Sequence, residues 1–176
     1  QGLSRLFKLI LIIVSARILS PTGFGTFNYI LSIASFFFIA ADWGVSSLVI
    51  REFQQIQEKE KYVRVSFLFR IIAASLCLLA AFVGLFFFES AEFRLNFIIL
   101  AIYLFICNIK DFFVTFLRAN QKMEKEFIII VVEGFSVMAF SIFLILLYKN
   151  VISLSFGYLL GMLMSFITAA FLVKSY

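Results

Sequence analysis

Residues 97–106 read FIILAIYLFI, ten consecutive apolar side chains with no charge, no proline and no alternation of inward and outward character. A membrane barrel strand needs that alternation and a surface helix in water needs a polar side. This run has neither, so it reads as the middle of a helix surrounded by hydrocarbon. Moving outward, polar residues resume only at Asn96 and Asn108, and similar apolar stretches of about 20 residues, split by short polar breaks, fill the chain.

The spans are read as residues 2–19, 27–50, 63–88, 93–117, 127–147 and 152–174. The expected fold class is therefore all-α: a polytopic transmembrane bundle of six helices forming a single membrane lobe over residues 1–176. Composition agrees, since 64% of the 176 residues are hydrophobic, 26 are Phe and only 14% are charged, with a mean hydropathy of +1.10. A water-soluble domain carries about 25% charged residues.

Arg17, Arg94 and Lys149 fall on one side of these spans, and the other twelve of the 15 Lys and Arg fall on the opposite side. The positive-inside rule then places both termini, the 51–62 loop and the 118–126 loop in the cytoplasm. The net charge of +5 thus reports orientation and not nucleic-acid binding. No signal-peptide cleavage pattern follows the first apolar run. The chain opens on Gln1, and it is read as a piece of a longer protein.

The outer links are expected at Ser20–Thr26, Glu89–Glu92 and Tyr148–Asn150, pairing the spans as hairpins. In the first, Pro21 is expected to stop span 1, with Gly23 and Gly25 supplying the freedom to reverse direction. The inner segment 51–64, REFQQIQEKEKYVR, sets Phe53, Ile56 and Val63 against charged residues. It reads either as a solvated connector or as a short interfacial helix.

Polar residues within the spans follow helical spacing. Asn28, Ser32, Ser35, Asp42 and Ser46 share one face of span 2, and Asn108, Asp111, Thr115 and Arg118 one face of span 4. Spans 3 and 6 instead carry small faces, Ala74, Cys77, Ala81 and Gly84 following Arg70, and Gly157, Gly161 and Ser165, which suit close helix packing. Cys77 and Cys107 lie inside spans without metal-like spacing and read as reduced packing residues.

Ionisable groups inside a membrane are costly and need partners or water. Asp42, Arg70, Lys110, Asp111 and Glu133 fall in one layer, roughly 8 to 13 Å inside the cytoplasmic boundary at the helical rise. The layer is read as ion pairs, such as Arg70 with Asp111 or Glu133, or as the lining of a hydrated cavity. Lys110 is expected to snorkel towards headgroups, being turned about 100° from Asp111. Arg17, near the outer interface, reads either as a headgroup anchor or as part of a site.

The chain has no His, no GK[ST] phosphate loop, no HExxH and no CxxC, so zinc hydrolysis and ATP hydrolysis find no residues here. No DxD pair is available for a sugar-nucleotide enzyme. The expectation is a protein that is not an enzyme and holds no cofactor, with coupling to a proton or cation gradient left open.

The segment from Ala16 to Phe27, ARILSPTGFGTF, followed by Ala41-Asp42-Trp43-Gly44 and by Arg51-Glu52, resembles the amino-terminal signature of polysaccharide and O-antigen flippases. These belong to the multidrug/oligosaccharidyl-lipid/polysaccharide exporter superfamily. Arg17, Leu19, Pro21, Phe24, Gly25, Asp42, Gly44 and Arg51 match that pattern. Ser20 stands where the family usually has Gly, and Thr22 where it has an acid. The match covers about 50 residues; the remaining spans agree in number, length and charge placement.

The resemblance implies the amino-terminal lobe of a transporter of 12 to 14 helices in the bacterial inner membrane. Such a transporter moves a polyprenyl-diphosphate-linked oligosaccharide by alternating access between two lobes. The implied partners are the bilayer, that lipid-linked oligosaccharide, a second lobe and polysaccharide assembly proteins. On this reading Arg17, Arg51 and Arg70 would attract the diphosphate, and Asp42 and Glu133 would orient them or carry a coupled ion, with Asp111 completing the path. The alternatives are an ion-coupled exporter of drugs or small metabolites, and a membrane assembly module that transports nothing.

Overall fold

A computed structural model describes residues 2–42, 44–53, 59–87 and 90–174, and nearly all of them are helical. In chain order the helices are α1 (Gly2–Ile18), α2 (Ser20–Asp42), α3 (Val45–Glu52), α4 (Lys59–Gly84, continued by one 3-10 turn, Leu85–Phe87), α5 (Ala91–Ala119), α6 (Met123–Tyr148) and α7 (Val151–Lys174). The described residues form no strand. Five helices, all but α1 and α3, are long and apolar enough to cross a membrane; α1 has 17 residues.

Helix α5 is the axis of the bundle, packing against α2, α3, α4, α6 and α7. Phe97 and Leu100, from the run that opens the sequence reading, are buried in its core beside Phe27, Ile30, Ala34 and Phe38 of α2. The most extensive contact joins α6 to α7. Gly157 and Gly161 explain it, because a Cβ on either would overlap the backbone of Ser141 or Val137. Small residues let two backbones approach closely where lipid supplies no hydrophobic drive. Ala74 and Ala81 of α4 are likewise fully buried, and Gly84 meets the ring of Phe37.

The hairpin pairing expected for the first two spans gives way to another arrangement. Helix α1 packs mainly on α6, where Phe7 meets Phe135 edge-on at 6.0 Å and Gly134 faces Ser4 and Phe7. It touches α2 little. The expected loop at Ser20–Thr26 is absent: Leu19 alone separates the two helices, and Ser20, at φ 66, opens α2. Pro21 lies in the first turn of α2 instead of stopping α1, since there its missing N–H costs nothing. Gly23 and Gly25 are ordinary helical residues, so the reversal owes nothing to them. Ser20 occupies a left-handed conformation better suited to the glycine that the family pattern has there.

The second expected span is broken. Gly44, at φ 81, separates α2 from α3, and the apolar stretch to residue 50 continues as a separate short helix packed on α5. Of the segment 51–64, read as an interfacial helix or a solvated connector, the described ends belong to α3, which Phe53 closes, and to α4, which holds Val63; residues 54–58, with Ile56, lie outside the described residues. At the last outer link Lys149 adopts φ 50, and Asn150 caps α7 by accepting the Ser153 N–H at 2.9 Å.

Two outcomes follow in thermal unfolding of the purified protein in detergent. Ser20→Gly should stabilise by about 0.5–1 kcal/mol, relief of the left-handed strain outweighing the lost side chain. Gly161→Leu should destabilise by about 3 kcal/mol or more, because the facing backbone of α6 cannot yield.

Candidate functional site

Of the five charges expected in one layer, the structure describes the side chains of Arg70, Lys110, Asp111 and Glu133, and Arg70 is hydrogen-bonded to Asn108 and Ser46 while Lys110 takes the acids. Arg70 on α4 is only 2% exposed. Its Nε–H donates to both the backbone oxygen and Oδ1 of Asn108, each at 2.9 Å, and Nη1 donates to Ser46 Oγ at 2.7 Å. One guanidinium thereby ties α4 to α5 and to α3. A buried cation in hydrocarbon requires such partners, and the fork of Arg can hold two elements at once.

Lys110 is the clearest departure from expectation. It does not snorkel; it is 4% exposed, and its Nζ lies 2.7 Å from Glu133 Oε2 and 2.9 Å from Asp111 Oδ1. Its flexible stem swings back to the neighbouring carboxylate although their Cβ vectors diverge. Two acids share this one base, so the triad carries an excess negative charge. Asp111 bears it outward, with its side chain 49% exposed against 18% for Glu133.

The face of α5 that presents Asp111 also presents Cys107 and Tyr103 at four-residue steps, and Cys107 Sγ lies 3.8 Å from Asp111 Oδ2. Tyr103 packs on Tyr158 of α7 at 5.6 Å, and Tyr158 packs on Phe27 of α2 at 5.1 Å. This aromatic cluster was missed in the sequence, where the 103/107/111 spacing is its only signal.

Helix α2 turns its polar stripe away from both α4 and α5. Phe37 faces Gly84 of α4 and Phe97 of α5, which fixes the direction of α4. Asn28 and Ser32, roughly 180° away on the helix at 100° per residue, point away from α4 and are exposed. Their side chains bond back to their own helix, Asn28 to the Phe24 oxygen at 2.9 Å and Ser32 to the Asn28 oxygen at 2.8 Å. Because α1 leans on α6 and α2 on α5, the two helices splay and leave this polar flank uncovered.

The remaining sequence candidates are scattered. Arg17 is exposed near the Ser20 joint, beside Pro21 and Gly25, with no ion pair among the described residues. Arg51 is exposed at the other end of the bundle and pairs with its neighbour Glu52 at 3.0 Å, a surface contact of little energetic weight. Asp42 ends α2 and its side chain lies outside the described ones, while Gly44 forms the joint after it. Arg118, at the end of α5, is bonded to Glu126 across the α5–α6 link.

A family model described as polysaccharide biosynthesis protein matches residues 1–176. The chain belongs to that family. Comparison with curated proteins and with solved structures gave no match. Long apolar helices and membership of this family together make the chain a multi-pass membrane protein of polysaccharide biosynthesis.

Removing Lys110 should leave Glu133 as an unpaired buried carboxylate. Lys110→Met alone is expected to cost about 3–5 kcal/mol in unfolding free energy, and adding Glu133→Gln should recover much of it. Equal losses in the single and double variants would show that the pair does not couple α5 to α6.

Proposed function

We propose that this chain is one six-helix lobe, with α1 as its sixth span, of a flippase for cell-surface polysaccharide biosynthesis. The cargo is a polyprenyl-diphosphate-linked oligosaccharide, carried across the bacterial inner membrane without covalent chemistry. The observation that carries this reading is the uncovered polar flank between α1 and α2. A lone lobe leaves such a surface open, and a second lobe facing it would enclose a path.

The charge of α1 suits an anionic cargo. Helix α1 holds Arg5, Lys8 and Arg17 and no acid, and all three are exposed, Arg5 and Lys8 on neighbouring sides of the helix and Arg17 turned about 180° from Lys8. Guanidinium groups bind diphosphate oxygens in pairs, so Arg17 at one end and Arg51 at the other are suited to meeting the headgroup on opposite sides of the membrane. Arg70, proposed from the sequence as a third such group, is committed to Asn108 and Ser46 and is better understood as holding α3 in place. The half-exposed Asp111, backed by Lys110 and Glu133, offers a place where a coupled cation or proton would bind.

A second reading, an ion-coupled exporter of small cations, draws on the excess acid of the Lys110–Asp111–Glu133 triad. The two differ in what Arg17 does. In the full-length parent, Arg17→Ala should abolish surface polysaccharide at unchanged protein level, and Arg17→Lys should restore part of it. Normal polysaccharide in Arg17→Ala, with transport lost only in Asp111→Asn, would favour the exporter.

A further inference from the structure

A groove of about 500 Å³ opens on α5 between α4 and α7, at the end of the bundle that carries most of the Lys and Arg. Its wall is aromatic: Phe67 stacks on Phe113 at 5.8 Å, and Phe116 meets Phe53 edge-on at 5.8 Å. Val63 and Val173 close its sides, and Arg64 stands at its rim. At 100° per residue Phe113 and Phe116 point roughly 140° to 160° away from Asp111, so the groove lies across α5 from the polar flank. It is therefore separate from the proposed path.

We infer that this groove seats one acyl chain of an anionic phospholipid from the leaflet at the basic end, with the lipid phosphate on Arg64. Two observations and one general rule select this occupant. The groove is apolar along its length and faces a solvent made of acyl chains. Its rim carries cationic charge: Arg64 is exposed without an ion pair among the described residues, Lys61 sits one turn earlier on α4, and the exposed Lys174 follows Val173. Basic pockets between transmembrane helices, with apolar walls below, are where anionic headgroups are recognised.

The site has a structural consequence. Phe53, part of the groove wall, is buried where α3 ends, while Gly44 begins that helix and Ser46 receives Arg70. A chain in the groove braces the far end of α3 and, with it, the position of the exposed Arg51. Lipid composition would thus act on α3 without entering the path.

The test titrates phosphatidylglycerol and, separately, phosphatidylcholine into the purified full-length protein in detergent, reading melting temperature and bound lipid by native mass spectrometry. Phosphatidylglycerol should raise the melting temperature saturably, and phosphatidylcholine should not. Arg64→Gln, a surface change that leaves the lipid-free melting temperature intact, should weaken half-saturation about fivefold, the share of one basic residue at an anionic lipid. Val173→Trp, which fills the groove, should remove the bound lipid. Equal responses to the two lipids, or an unaltered response in Arg64→Gln, would overturn the proposal. So would displacement of phosphatidylglycerol by an equal amount of polyprenyl phosphate, which would make the groove a site for the cargo's own tail.

Discussion

Hydrocarbon cannot hydrogen-bond to a peptide group or solvate a charge, and the arrangement of this bundle follows from that constraint. The backbone answers it by being helical almost throughout the described residues. The ionic side chains answer it around α5. Arg70 draws in Asn108 and Ser46, and Lys110 draws in Asp111 and Glu133, so that α4 and α6 are each held to the central helix, and α3 to α4, by at least one charge-assisted bond. Elsewhere small residues do the joining, most closely where Gly157 and Gly161 meet α6.

The polar residues of α2 answer the same constraint differently. Asn28 and Ser32 bond to carbonyls of their own helix and reach for no neighbour. They are thus compatible with a surface that meets water and sugar at one moment and a second protein surface at the next. The lobe is two-sided in consequence. One side of α5 presents Asp111, Cys107 and Tyr103; the other presents phenylalanines under a basic rim.

Most of the fold was readable because the two strongest signals, apolar length and helical spacing, are local. The 97–106 run is helical as expected, and the small face at 157 and 161 packs closely, against α6, a partner the sequence did not name. The breaks were harder, since a joint can rest on one residue. Ser20 at φ 66 and Gly44 at φ 81 set the first two breaks, while the proline and glycines that looked like turn formers sit within α2. The intramembrane charges were visible in the sequence but their partners were not, because spacing along one helix does not say which neighbour a long side chain will reach. Lys110 showed this most clearly, its stem overriding the direction of its Cβ.

The most direct test of the account is water access along α2 in the full-length parent. Single cysteines at Ser32, on the polar stripe, and at Leu76, on the exposed apolar face of α4, would be exposed in whole cells or inverted vesicles to a membrane-impermeant maleimide. If the flank lines the translocation path, Ser32→Cys should label and be protected by lipid-linked oligosaccharide, while Leu76→Cys should stay unlabelled. Equal silence at Ser32 and Leu76 from both sides of the membrane would mean that the flank meets lipid or sealed protein, and the path would have to be sought elsewhere.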